Sequence, residues 1–188
     1  MSSKLGVENI AHTNGTNAMT ISSGGVTAFT TDPFNSVIET FYYGTGDHLE
    51  GNNQVLNRGF TRLTTNATAN KNGGMTESTG TWTFPSTGVW STMMSFVFYD
   101  SQASNSTGLL VAYSSDSGSN FTSVHGGYQA PKAVNAHGFI TIPYIFNITN
   151  VSTERIRYMV SSGGGVYVRG GSGWNTLKVQ FIKLCPSV

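Results

Sequence analysis

The sequence predicts an all-β protein: a two-sheet antiparallel sandwich or jelly roll, with an extended N-terminal arm in front of it. Three observations carry the prediction. The chain of 188 residues holds 23 glycines and many Ser, Thr and Asn residues but only 10% charged ones, a composition that suits short strands and frequent turns. No window of helix length keeps its apolar residues in step without interruption by Gly, Ser or Asn. From residue 37 onward, apolar runs with period-two alternation recur between glycine-rich joints. With 38% hydrophobic residues, a chain of this length can bury a real core.

Residues 1–35 read as the arm and 36–188 as the head. Between Lys4 and Asp32 the apolar residues Leu5, Val7, Ile10, Met19, Ile21, Val26 and Phe29 stand isolated among polar residues and glycine pairs, too few to build a core. The short segments AMTIS and GVTAF can pair around Ser22-Ser23-Gly24-Gly25, with each other or with a neighbouring chain. A terminus of this composition frays unless something holds it. Leu5, Ile10, Met19 and Ile21 are therefore the expected anchoring residues. The join falls at Asp32-Pro33, because proline drives the residue before it toward extended backbone.

In the head, Val37–Tyr43 (VIETFYY) is the first expected strand and Phe60–Thr68 the second. Thr79–Asp100 (TGTWTFPSTGVWSTMMSFVFYD) is the heaviest apolar stretch and reads as two strands about a tight corner. Proline lacks the N–H that would continue a ladder and glycine reaches φ values closed to other residues, so Pro85–Gly88 ends one strand and launches the next. Further strands are expected at Gly108–Ser114, Phe139–Ile148, Arg155–Ser161, Val166–Arg169 and Leu177–Leu184, with a loop containing Phe121, His125, Tyr128 and His137 between the first two.

The segment Val89–Tyr99 is apolar on both faces. Trp90, Met94, Phe96 and Phe98 form a core set, and Val89, Met93, Val97 and Tyr99 lie opposite. Leaving large apolar side chains in water forfeits roughly 1.5–3 kcal/mol each relative to burial. A second copy of the chain is the expected cover, placing Met93, Val97 and Tyr99 at a subunit interface with Phe139 and Ile145 nearby; loops of the same chain are the alternative cover.

Other features exclude more than they assign. A formal net charge of +1 gives no broad electrostatic reason for binding nucleic acid or an anionic membrane, and Arg155, Arg157 and Arg169 read as solvated strand residues. The single cysteine, Cys185, precludes an intramolecular disulfide. MSSKLGVENIAH lacks the apolar run of a signal peptide or membrane anchor, so synthesis in a cytoplasm without export by that route is expected. In that setting the Asn-X-Ser/Thr triplets at Asn14, Asn66, Asn105, Asn120, Asn147 and Asn150 are ordinary polar residues. Asp47, His48 and Glu50 form the densest group of potential metal ligands, but one loop without a partner motif does not make a closed site, and no metal or other cofactor is expected. Gly-x-Ser-x-Gly, His-Glu-x-x-His and phosphate-loop motifs are lacking, and the carboxylates are scattered; no enzyme is expected.

Gly80, Trp82, Pro85, Gly88 and Trp90, in the frame GTWTFPSTGVW, resemble the strand-turn-strand signature of the complement-type globular head, a tumour-necrosis-factor-like jelly roll. The usual frame is Gly-x-Phe-x-x-Pro-x-x-Gly-x-Tyr-x-Phe; here Trp82, Trp90 and Thr92 take the aromatic places. The closing VQFIKL resembles that family's last strand. This resemblance implies a homotrimer with an apolar sheet toward the threefold axis. The arm, LGVENIAHTNGTNAMTISSGGV, resembles a short module near the start of bacteriophage tail-fibre and other virion appendage proteins. Together the resemblances imply a virion structural protein, a fibre, decoration or appendage fixed to capsid or tail proteins by its arm. Its loops around Tyr128 and Trp174 would face outward toward a host-surface glycan. The alternative is a soluble lectin-like or receptor-binding module.

Overall fold

A computed structural model of the chain describes residues 9–11, 17–21, 27–29, 37–43, 46–57, 59–63, 73–100, 106–130, 133, 135–162, 165–170 and 177–187. The chain divides into two compact units, Met1–Asn35 and Ser36–Val188. The described residues contain strands and turns and no helix.

The first unit is a three-stranded antiparallel sheet of β1 (Asn9–Ala11), β2 (Asn17–Ile21) and β3 (Thr27–Phe29), in that order. Ile10 stands opposite Met19, and Met19 opposite Phe29. The two expected arm strands thus pair within the chain, and Asn9–Ala11 adds a third that the sequence reading did not include. The sequence between β1 and β2 contains Asn14-Gly15, a dipeptide favoured in tight hairpins.

The described residues of the second unit form thirteen strands: β4 (Ile38–Tyr43), β5 (His48–Glu50), β6 (Gln54–Val55), β7 (Phe60–Arg62), β8 (Thr76–Ser78), β9 (Thr81–Thr83), β10 (Gly88–Asp100), β11 (Thr107–Ser114), β12 (Thr122–Gln129), β13 (His137–Ile148), β14 (Arg155–Ser162), β15 (Val166–Val168) and β16 (Lys178–Cys185). They form two antiparallel sheets, a jelly-roll sandwich. In the seven-stranded sheet β10 pairs with β13 along one edge from Gly88 to Tyr99. Its other edge is shared: β16 takes Val89–Ser95 and β15 takes Phe98–Asp100. Beyond β16 lie β4 and β7, and beyond β15 lies β5. The six-stranded sheet runs β12-β11-β14-β9-β8, with β6 also on β14.

The corner at Pro85–Gly88 carries the chain from one sheet to the other, because β9 belongs to the six-stranded sheet and β10 to the seven-stranded one. Gly88 has φ 148°, and a Cβ there would sit 2.7 Å from the Cys185 carbonyl oxygen. The Trp90 indole N–H donates to the Ser86 carbonyl at 3.1 Å and locks the turn.

Every core residue expected on β10 is buried: Trp90, Met94, Phe96 and Phe98 are sealed between the sheets. Trp82 bridges them, its ring 4.8 Å from Phe41 and 4.9 Å from Phe181. Thr92 on β10 and Tyr158 on β14 share a buried hydrogen bond across the sandwich. Burial raises the Tyr158 phenol pKa above its ordinary value, and the Thr92 hydrogen bond partly offsets this.

Besides the short strands β5, β6 and β8, which fall outside the expected strands, two longer segments depart from expectation. Thr122–Gln129, read as loop, is the edge strand β12 paired to β11. Gly126 and Gly127 disguise it. A Cβ at Gly126 would meet the Leu110 side chain at 2.4 Å, and one at Gly127 would crowd the Ile142 methyl at 3.1 Å. The glycines let neighbouring side chains lie on the strand, a tertiary demand that β-propensity does not register. The expected strand Phe60–Thr68 is described as strand only over Phe60–Arg62; 64–68 lie outside the described residues.

Candidate functional site

The candidate surface of the head is the outer face of the seven-stranded sheet, and strand alternation builds it. Because β10 sends Trp90, Thr92, Met94, Phe96 and Phe98 inward, Ser91, Met93, Ser95, Val97 and Tyr99 must project outward. On β13, Ile140, Ile142, Phe146 and Ile148 turn inward, leaving Phe139, Thr141, Pro143 and Ile145 on the same outer face. Register makes the two sets adjacent, placing Val97 opposite Phe139, Met93 opposite Pro143 and Ser91 opposite Ile145. On the other side Ser91 faces Ile182 of β16. The result is an apolar strip crossed at its middle by the polar row of Lys178, Ser95 and Thr141. A hydrogen bond of 2.8 Å between the Ser95 and Thr141 hydroxyls ties its middle.

Met93 is 43% exposed, and Phe139 and Ile145 are each 59% exposed. Val97 and Tyr99 are half-buried by their neighbours. Phe139 and Ile145, secondary candidates in the sequence, are therefore the most open members of the strip. Leu184, at 46% exposure, was missed. Its signal was present: extending the inward series Val179, Phe181 by one step puts Lys183 inside and Leu184 outside. Lys183 is indeed buried, its Nζ 3.0 Å from Ser86 Oγ, and the apolar side chain of Leu184 is turned to the surface.

At the end of this face a shallow cavity of about 240 Å³ is lined by Asp47, Tyr99, Asn135, His137 and Arg169. His137, Tyr99 and Tyr167 sit side by side on β13, β10 and β15. The Tyr99 and Tyr167 rings stack at 4.8 Å with 4° between planes, and the His137 ring lies 5.6 Å from Tyr99. Arg169 Nε approaches the Asp47 carboxylate at 3.4 Å. Desolvation first and the Asp47 charge second raise the Tyr99 phenol pKa, so the phenol keeps its proton at neutral pH.

The Asp47, His48 and Glu50 side chains do not converge on one point. His48 and Glu50 belong to β5, Asp47 turns to Arg169, and Glu50 is buried with its Oε1 4.0 Å from His48 Nε2. Among the described residues no group of three or more His, Cys, Asp or Glu side chains could hold a metal ion. Other buried carboxylates serve the fold. Glu39 accepts from the Gly74 and Met75 amides and from Arg62, and burial outweighs these partners to raise its pKa. Glu154 accepts from the Tyr113 hydroxyl at 2.5 Å and from the Thr149 and Asn150 amides at 2.6 Å, closing the turn between β13 and β14. Burial, then this hydrogen bond, pushes the Tyr113 phenol up to about 12.

The arginines are likewise engaged and not simply solvated, which corrects the sequence reading. Arg155 donates to the Val151, Ser152 and Glu154 carbonyls, Arg157 lies 4.1 Å over the Phe121 ring, and Arg169 pairs with Asp47. Tyr128, expected in a loop, is on β12; it is exposed, and its ring lies over the cross-strand partner Gly108, where a Cβ would come within 2.4 Å. Trp174 and Leu5 lie outside the described residues, as do the side chains of Ile10, Met19 and Ile21.

The sequence matches no protein-family model and no curated protein. Solved structures do resemble the fold. The Eiger TNF of S. frugiperda superposes with TM-score 0.66 at 11% identity, covering 81% of this chain and 95% of its own. Murine APRIL, at pH 8.5, superposes with TM-score 0.56 at 9% identity, covering 79% of this chain and 99% of its own. Identities this low speak for the fold alone: the head is a tumour-necrosis-factor-like jelly roll.

Proposed function

We propose that this chain is a non-enzymatic structural protein of a bacteriophage particle, a fibre, decoration or appendage whose head forms a homotrimer and whose N-terminal arm joins it to capsid or tail proteins. One observation carries the assembly: Met93, Phe139, Ile145 and Leu184 stay open to solvent in the single chain beside half-buried Val97, on the face where the described residues place no cover. A second copy of the same strip satisfies it without any new chemistry. The tumour-necrosis-factor-like shape supports self-association through a sheet face, and the likeness of residues 5–26 to a virion appendage module supports the particle as the location. The engagement of Glu39 and Glu154 in structural hydrogen bonds supports a binding role over a catalytic one.

Light scattering on the full chain and on residues 36–188, followed by incorporation of each into particles, tests the reading. The expected result is a trimer in both cases, with incorporation only by the full chain. A monomeric full chain removes the assembly claim, and undiminished incorporation of residues 36–188 removes the role of the arm.

A further inference from the structure

The cavity beside Tyr99 is chemically unlike the apolar strip it adjoins. Its lining offers a carboxylate, a guanidinium, a primary amide, a phenol and an imidazole around one small hollow. Asp47 and Arg169 neutralise each other at 3.4 Å, so the hollow carries no net charge to select a phosphate or an amine, and a strongly charged ligand would have to break that pair. What remains is a dense set of planar donors and acceptors: Asp47 accepts, Arg169 donates, and the Asn135 amide does both. Beside them stand aromatic surfaces held rigidly by the β13-β10-β15 register, with Tyr99 braced on Tyr167. Asn135 is held in the left-handed region at φ 60°, two residues before His137, where the chain bends toward β13. At about 240 Å³ the hollow falls below the ~300 Å³ lower end of drug-sized pockets, a scale that suits one ring rather than a long chain of them.

We infer that this cavity is a saccharide subsite that holds one pyranose ring of a glycan, with Tyr99 and His137 against the ring's C–H surface and Asp47, Arg169 and Asn135 on its hydroxyls. The pattern matches the ligand's own chemistry, since a pyranose presents apolar C–H patches flanked by equatorial hydroxyls that both donate and accept. All five lining residues come from one protomer, so the inference does not require that the proposed assembly be correct. It moves Tyr99 from the apolar interface to a ligand site, and it places glycan contact on this face instead of at Tyr128 or Trp174.

The test uses the full chain and a panel of methyl glycosides (gluco, manno, galacto, rhamno and N-acetylglucosamino), with inorganic phosphate and methylammonium as charged comparators. Binding is read by amide and side-chain chemical shifts and by saturation transfer from protein to sugar. The expected result is that at least one glycoside saturates with shifts centred on Tyr99, His137 and Arg169, and that Asp47→Ala and Tyr99→Ala each weaken it about tenfold or more. Asp47 lies at the surface, so its variant keeps the test valid if Tyr99→Ala perturbs the sheet; light scattering on both variants separates loss of binding from loss of assembly. No saturable shift from any glycoside at tens of millimolar overturns the inference. So does equal binding by both variants, or a preference for phosphate or methylammonium over every sugar.

Discussion

Replacing Phe139 by aspartate tests the assembly face where it is most open. Phe139 is 59% exposed and stands opposite Val97, near the Tyr99 end of the strip. An aromatic side chain buries roughly 150–250 Å² when covered, so a partner sealing the exposed share removes about 90–150 Å² from water. At ~25 cal/mol per Å² that contributes about 2–4 kcal/mol per contact, before any cost of setting a carboxylate against an apolar partner. Each 1.4 kcal/mol is a factor of ten, so Phe139→Asp should weaken association by about 30- to 1000-fold per contact. Because the ring is outside the core, the protomer should still fold. Light scattering over about 1–100 µM should show the wild type as a trimer and Phe139→Asp as largely monomer, with a melting temperature that no longer depends on concentration. Val124→Asp, which adds the same charge on the other sheet at a 36% exposed position, should leave the mass unchanged. A wild-type mass for Phe139→Asp at every concentration would refute the reasoning, because covering this position in a trimer would bury three unpaired carboxylates.

Three further outcomes follow from the packing. Trp82→Ala should lower unfolding free energy by about 3–5 kcal/mol, since its fully buried ring joins Phe41, Phe60 and Phe181 across the sandwich; a loss below 1 kcal/mol in urea denaturation would show that the sheets close without it. Gly88→Ala should cost about 1–3 kcal/mol, because φ 148° and the Cys185 carbonyl 2.7 Å from the added carbon both oppose a side chain, and an unchanged urea midpoint would contradict the corner geometry. The Ser114 hydroxyl first, then the Asn120 amide and side chain, hold the Asp116 carboxyl down from 3.8 to about 2. A carboxyl depressed on folding stabilises fully above its unfolded pKa, and the contribution fades as pH falls toward 2. A carboxyl-carbon NMR titration of Asp116 with a midpoint near 4 would deny that network.

The histidines illustrate how far a strand pattern can be read. The sequence pattern places both His125 and His137 in a long loop, yet each lies on a strand, and His137 lines the cavity. The β12 segment TSVHGGYQ has no apolar alternation because it is an edge strand, exposed along much of its length, whose glycines accommodate Leu110 and the Ile140 and Ile142 methyls. Asp47 and Arg169 looked unrelated in the sequence because 122 positions separate them; the pairing of β5 with β15 brings them together.

The amino-acid order alone determined the class of the fold, the two-faced character of Val89–Tyr99, the turn at Pro85–Gly88 and the buried set Trp90, Met94, Phe96 and Phe98. These are local properties: alternation has a period of two residues, and proline and glycine act on their own φ and ψ. Only the tertiary structure decided that the Pro85–Gly88 turn crosses between sheets, that β16 and β15 divide one edge of β10, and that Leu184 joins Met93, Phe139 and Ile145 on one face. It also decided that five residues dispersed along the chain line one shallow cavity. Those outcomes depend on which distant strand closes against which, and strand pairing is set by burial and register over the whole chain, which no short window of sequence contains.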